Sequence, residues 1–228
     1  MFPIRDTNKT QTFPIVNWII IVLNMLVFYF QINLPTQSVE QIFTSFGIVP
    51  VKFLTMHPLA PISLLSSQFL HSGWVHIIRN LWVLYIFGDN VEDKLGHVQY
   101  LVFYLTCGII GGVLHIVVQP YSHIPMIGAS GAISGVLGAY MLFFPKARIL
   151  TLVPIVIIPW LVKIPAVIYL GIWFLSQLSD GLSTTSSVVN SGIAYWAHLG
   201  GFIAGFLLSK HFRKNSKYQK INAINNKL

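Results

Sequence analysis

Long apolar stretches alternate with short polar segments along most of this chain. A helix needs about 20 apolar residues to cross a bilayer core of about 30 Å. Six stretches approach this length, so the pattern predicts an all-α integral membrane protein built as a bundle of six transmembrane helices. The predicted spans are residues 14–31, 74–88, 97–118, 130–144, 164–179 and 193–211.

The remaining segments are too polar or too rich in proline to cross a membrane. Residues 32–70 are expected to form a broken segment in the membrane interface, and residues 89–94 a charged turn after the second span. Residues 149–162 are interpreted as a membrane-embedded connector that leads into the fifth span. The predicted organisation is an N-terminal segment at 1–13, one membrane domain at 14–211 and a basic tail at 212–228.

Composition and charge support this prediction and indicate an orientation. Hydrophobic residues make up 54% of the chain and charged residues only 9%, whereas about a quarter of a soluble domain is charged. The net charge of +8 comes mostly from Lys and Arg near the two termini and after the fourth span. Because such residues mark cytoplasmic segments, both termini are predicted to be cytoplasmic. The expected partner of the surface is the lipid bilayer, and nucleic acid is not expected.

Strongly polar residues inside the predicted spans are candidate functional residues, because burying them in lipid is costly. At 1.5 Å of rise per residue, Ser130 and His76 lie roughly 20 Å above the cytoplasmic ends of their spans, and His198 roughly 18 Å. Asn80 follows His76 by one turn on the same helix face. The three residues on separate spans are therefore predicted to meet at one depth, below the outer membrane surface.

Small residues predict that the fourth and sixth spans pack closely. Glycine, alanine and serine recur along residues 128–138, and Gly201 and Gly205 follow His198. Small side chains let helix backbones approach each other in lipid. Such a pattern alone usually marks only a packing surface, and the common depth of Ser130 and His198 is what favours a site. No close His, Cys, Asp and Glu cluster has metal-binding spacing, so neither a metal nor a cofactor is expected.

Three motifs at these positions resemble the rhomboid family of intramembrane serine proteases. The first is Gly128-Ala129-Ser130-Gly131, which is similar to the GxSG nucleophile motif of the family. The second is Ala197-His198-Leu199-Gly200-Gly201 with Gly205 four residues on, and the third is the HxxxN pair His76 and Asn80. The resemblance covers roughly residues 60–210, with the motifs in the order of the family.

The resemblance implies a six-helix rhomboid-like bundle and a Ser–His dyad. Ser130 would be the nucleophile and His198 its general base, while the backbone N–H of Ser130 and the side chains of His76 and Asn80 would form the oxyanion hole. Substrates would be single-span membrane proteins, and the location would be the cytoplasmic membrane of a bacterium. Ser134 stands where many members carry an aromatic residue beneath the histidine, so Tyr195 or Trp196 is expected to pack there instead.

Two other functions are compatible with a polar cavity in a membrane protein. An inactive rhomboid-like protein that binds transmembrane helices would use the same cavity without a nucleophile. A transporter or channel for small solutes would be expected to show an inverted repeat or paired broken helices, and the sequence shows neither.

Overall fold

The computed structural model describes residues 1–155, 158–186 and 193–225, and these residues are mainly helical, as predicted. The helices are α1 (Ile15–Ile32), α2 (Thr36–Phe46), α3 (Pro50–Leu54), α4 (Ala60–Ser66), α5 (Trp74–Leu95), α6 (His97–Val118), α7 (Ser130–Phe143), α8 (Ala166–Ser186) and α9 (Tyr195–Asn225). A single 3₁₀ turn, Ser67–Phe69, follows α4. The strands are β1 (Phe2–Asp6), β2 (Arg148–Ile155) and β3 (Ile158–Pro165).

Long apolar helices lie close to where the hydropathy pattern predicts them. The bounds of α6 coincide with the predicted span at 97–118, and α1 is shifted by one residue from 14–31. By length and composition, α1 and α6 are the two described helices that could each cross a membrane, and α7 is a shorter apolar helix. The broken segment at 32–70 forms short helices, as its prolines indicate.

Helix α5 continues through the charged turn predicted at 89–94 and ends only at Gly96, whose φ is 84°. The helix can continue because the carboxylate of Glu92, although completely buried, accepts hydrogen bonds. Its two carboxylate oxygens accept the backbone N–H groups of Val16 and Asn17 at 2.9 and 2.7 Å. These N–H groups lie in the first turn of α1, where helix donors have no partner within the helix. A carboxylate from α5 thus caps α1, and the charges do not break α5.

The structure contains a three-stranded antiparallel sheet where the sequence predicted only a terminal segment and a connector. The strand order is β1-β2-β3, with Phe2 opposite Leu152 and Arg148 opposite Pro165. Aliphatic and β-branched residues dominate residues 149–153, which is typical of strands. The helix α8, predicted as the fifth span from 164, therefore begins at Ala166, directly after a proline.

Two predicted boundaries near the C-terminus also differ from the structure. Helix α8 extends to Ser186, whereas the fifth span is predicted to end at residue 179, so the predicted end is wrong. Residues 187–192 lie outside the described part of the chain. Helix α9 continues beyond the predicted end at 211 to Asn225, which lies within the predicted tail.

Helix α7 lies at the centre of the bundle, against α9, α6 and α5. Its contact with α9 is backbone against backbone, as the small residues predict. A Cβ on Gly205 would overlap the backbone of Gly135, and a Cβ on Gly138 would overlap the carbonyl oxygen of Phe202. The first turns of α7 and α9 are therefore held next to each other.

Candidate active site

Ser130 and His198 meet at the start of α7 and α9. Ser130 is the first residue of α7, and His198 lies in the first turn of α9. The distance from Nε2 of His198 to Oγ of Ser130 is 2.8 Å, which is a normal hydrogen bond between these atoms. The fold therefore brings the two residues predicted to lie at one depth into direct contact, although 68 residues separate them in the sequence.

Gln177 is a third member of this hydrogen-bonded group, and the sequence analysis did not single it out. Its Oε1 lies 2.6 Å from Nδ1 of His198. The residue lies on α8, within the run Trp173–Leu178 that is otherwise apolar apart from Ser176. A strongly polar side chain inside a predicted span is the signal that selected Ser130 and His198, and the same criterion applies to Gln177.

The His198 ring is bordered by two aromatic rings. Tyr195 meets it edge-on at 6.4 Å between ring centroids, as the sequence suggested, and Trp173 of α8 lies tilted against it at 6.2 Å. Ser134, in place of the family's aromatic residue, turns back and donates to the carbonyl oxygen of Ser130 at 2.6 Å. Within the described residues, the aromatic rings that border His198 therefore belong to α8 and α9.

His76 and Asn80 lie against the loop that precedes Ser130. Gly128 adopts φ +119°, which only glycine takes readily, and a Cβ at this position would lie 2.6 Å from Nε2 of His76 and 3.5 Å from Nδ2 of Asn80. The loop is fixed in this place by a backbone hydrogen bond from Gly128 to the carbonyl oxygen of Ser67 at 2.9 Å. The GxSG and HxxxN residues therefore form one cluster.

Neighbouring polar groups hold the side chains of both His76 and Asn80. Nδ1 of His76 lies 3.0 Å from the hydroxyl of Ser72 and 3.5 Å from the backbone nitrogen of Ser72, which donates to it. Because a backbone N–H can only donate, Nδ1 is an acceptor and the ring proton lies on Nε2, which points to Gly128. Nδ2 of Asn80 lies 3.0 Å from Nε2 of His71, a buried residue that precedes α5.

A cavity of about 1430 Å³ connects this cluster with the sheet. One wall is formed by α5, including His76 and Arg79, and the other by α8, including Trp173 and Gln177. These two helices lie on opposite sides of the cavity and make almost no direct contact with each other in the described part of the chain. Phe2 and Leu152 of the sheet line its far end.

The other motif glycines determine how closely α9 approaches its neighbours. A Cβ on Gly201 would overlap the carbonyl oxygen of Gly131, and one on Gly200 would lie 2.9 Å from Cβ of Leu114. A Cβ on Gly131 would meet nothing closer than 3.7 Å. Steric need for glycine is therefore strong at Gly201 and Gly205, intermediate at Gly200 and weak at Gly131.

Within the described residues, no three His, Cys, Asp or Glu side chains are grouped closely enough to hold a metal ion.

Comparison with known proteins places this cluster in a family. A family model described as "Rhomboid domain" matches residues 59–215, which is more than half of the chain and includes every residue of the cluster. The chain belongs to the rhomboid family. Rhomboid proteins are integral to the membrane, which agrees with the apolar helices described above.

Individual rhomboid relatives differ in how much of their length the chain covers. "Putative rhomboid protease YdcA" of Bacillus subtilis is 29% identical over 212 residues, which are 89% of this chain and 92% of that protein. "Rhomboid protease GluP" of the same organism is 34% identical over 145 residues, or 63% of this chain. "Rhomboid protein 1, mitochondrial" of Saccharomyces cerevisiae is 28% identical over 164 residues. The chain spans only 24% of GluP and 44% of the yeast protein.

Proposed function

We propose that this rhomboid protein is an intramembrane serine endopeptidase that cleaves single-span membrane proteins in or near their transmembrane segment. The observation that carries the proposal is the hydrogen bond between Ser130 and His198 at the wall of a cavity that α5 and α8 line from two sides. Two bacterial relatives are named as proteases or putative proteases, which supports the same class of reaction.

In the proposed reaction, Oγ of Ser130 attacks the scissile carbonyl carbon while Nε2 of His198 takes the hydroxyl proton. The tetrahedral intermediate collapses to an ester on Ser130, and the proton passes from His198 to the leaving amine. Water then attacks the ester and gives a proton to His198. The product acid is released as His198 returns this proton to Oγ of Ser130, which restores the serine hydroxyl. Serine alone is a weak nucleophile, so the hydrogen-bonded histidine is required for both halves of the reaction.

The oxyanion that forms in this reaction would lie beside the start of α7. The backbone N–H groups in the first turn of a helix have no partner within it, and their dipoles favour negative charge. The N–H of Ser130 belongs to this turn, and Nε2–H of His76 and the amide of Asn80 face the adjoining loop. Preorganised donors of this kind are typically the largest single contribution to acyl transfer.

The proposed substrate is an unwound part of a transmembrane helix that enters between α5 and α8.

We propose that α1, α5, α6, α7, α8 and α9 are the six spans of a protein in a bacterial cytoplasmic membrane, with both termini cytoplasmic. The distribution of Lys and Arg supports this orientation. Cysteine at Tyr121 should then react with an impermeant thiol reagent from outside, and cysteine at Lys146 only after permeabilisation, both in a Cys107→Ala background. The reverse pattern would contradict the orientation.

The test of function compares Ser130→Ala with Ser209→Ala, which removes a buried serine of α9 far from the dyad. Protein purified in detergent is treated with a fluorophosphonate probe and with a model single-span substrate. Wild type and Ser209→Ala should be labelled and should cleave, whereas Ser130→Ala should do neither while remaining folded. Cleavage by Ser130→Ala would exclude the proposed nucleophile. Substrate binding without labelling or cleavage by wild type would instead identify an inactive rhomboid-like protein.

A further inference from the structure

We infer that Gln177 positions the general base, so that the catalytic unit is Ser130–His198–Gln177 and not a dyad alone. The inference rests on the proposed function and concerns a residue outside the three family motifs. Helix α8 brings the neutral amide of Gln177 to the side of His198 that faces away from Ser130.

The two hydrogen bonds of His198 engage opposite nitrogens of one ring. Nε2 lies 2.8 Å from the Ser130 hydroxyl, and Nδ1 lies 2.6 Å from Oε1 of Gln177. The other end of the amide, Nε2 of Gln177, donates to Oγ of Ser176 at 3.4 Å, which agrees with the oxygen facing the histidine. An amide oxygen can only accept a hydrogen bond, so Nδ1 of His198 must carry the proton. Nε2 then has a free lone pair for the serine proton.

This arrangement has two effects on the proposed reaction. First, it selects the reactive tautomer and restricts rotation of the ring, because the proton on Nδ1 is held by the acceptor. Second, the bond strengthens when His198 becomes positively charged, since hydrogen bonds from charged donors are roughly twice as strong as neutral ones. An interaction that is stronger in the transition state than in the ground state raises kcat and leaves KM nearly unchanged.

Within the described residues, no carboxylate accepts a hydrogen bond from His198, and Oε1 of Gln177 is the acceptor that Nδ1 contacts. Other titratable or charged groups line the same cavity and contribute to its electrostatics. They are His76 and Arg79 on α5, His115 on α6, Tyr169 and Asp180 on α8, and Tyr195 on α9. A neutral partner at Nδ1 orients the base without placing a permanent negative charge in the membrane, where ionised groups are costly.

The experiment compares three substitutions in full-length protein. Gln177→Met keeps the length of the side chain and removes the acceptor, whereas Gln177→Glu keeps an acceptor and adds negative charge. Gln119→Met is the matched control, because Gln119 lines the same cavity but has no side-chain bond to the histidine. For each variant, kcat, KM, the pH profile of kcat/KM, the rate of fluorophosphonate labelling and the melting temperature are measured.

Gln177→Met should lower kcat and the labelling rate by about ten-fold to a hundred-fold, which corresponds to one hydrogen bond to a charged group, with KM within about two-fold. The acidic limb of its pH profile should move to lower pH, because the protonated histidine has lost an acceptor. Gln177→Glu should restore most of the rate and move the same limb to higher pH, because a carboxylate stabilises the protonated ring. Gln119→Met should leave the pH profile unchanged.

The opposite displacements of the pH profile distinguish positioning from packing. The inference is wrong if Gln177→Met has the kcat and pH profile of Gln119→Met, or if it changes only the melting temperature. It is equally wrong if both Gln177 variants lose activity without a shift of the profile. Failure of the proposed function is a separate result, since in that case wild-type protein would neither react with the probe nor cleave the substrate.

Discussion

Replacement of Gly201 by alanine should separate Ser130 from His198 without touching either residue. Gly201 follows His198 by three positions on α9, and its Cα faces the carbonyl oxygen of Gly131, the residue next to the nucleophile. A methyl group at this place would overlap that oxygen. Both partners are helix backbone, so the contact can be relieved only by movement of one helix away from the other.

The size of the movement sets the expected effect. Non-bonded carbon and oxygen atoms require separations above 3 Å, so the helices must part by roughly 1 Å near the dyad. The distance between Nε2 of His198 and Oγ of Ser130, now 2.8 Å, would then exceed the hydrogen-bonding range of about 3.2 Å. Misplacement of this size typically costs about 100-fold in rate. Overpacking also costs about 1–3 kcal/mol of stability, or a fall in melting temperature of roughly 2–10 °C.

The assay uses a series of Gly→Ala variants that differ in steric need. Gly171 on α8 is the matched control, because a Cβ there meets nothing within 4 Å. Turnover per folded molecule and melting temperature should follow the order Gly171→Ala, Gly131→Ala, Gly200→Ala and Gly201→Ala, with the last most impaired. The first two should be close to wild type. Normal turnover and stability in Gly201→Ala would refute the close approach of α7 and α9 at the dyad.

Three further changes test other parts of the structure. Gly128→Ala should lose turnover by at least about ten-fold, because it strains a positive φ and displaces His76, while Gly73→Ala should not; equal behaviour of the two would contradict the role of the loop. Glu92→Gln should lower the melting temperature through loss of a charged hydrogen bond of about 1.5–3 kcal/mol and leave turnover per folded molecule normal; lost turnover at unchanged stability would contradict this. Burial raises the pKa of Asp6, although the hydrogen bond from the hydroxyl of Tyr140 acts in the opposite direction. The folded state therefore holds this proton more tightly than the unfolded state, and the stabilisation is present at low pH and lost as pH rises through the raised pKa. Asp6→Asn should consequently gain stability relative to wild type as pH rises above about 4, and a difference in melting temperature that does not vary with pH would exclude this effect.

Properties that depend on local geometry could be predicted from the sequence. The bounds of α6 follow from an apolar run between a glycine and a polar turn, and α1 was predicted within one residue. The common depth of Ser130 and His198 follows from the rise of an α-helix, which is the same in every helix. The close contact of α7 and α9 follows from their small residues, because only such residues permit backbones to touch. These inferences require no knowledge of how the helices are rotated about their axes.

Properties that depend on distant partners required the tertiary structure. Nothing near residues 89–94 indicates that Glu92 will accept two N–H groups from α1, more than 70 positions earlier, and this contact is what allows α5 to continue. Strand β1 similarly finds its partner β2 across more than 140 positions, from Phe2 to Leu152. Such pairings depend on the folded path of the whole chain.

The composition of the active site shows the same division. The sequence determined that Ser130 and His198 lie at the same depth in the membrane, because depth along a helix depends only on its rise per residue. Only the structure decided that Gln177 reaches Nδ1 of His198, because this contact depends on the rotation of α8 about its axis and on its distance from α9. The rotation of a helix is fixed by packing against its neighbours, and no count of residues along the chain contains that information.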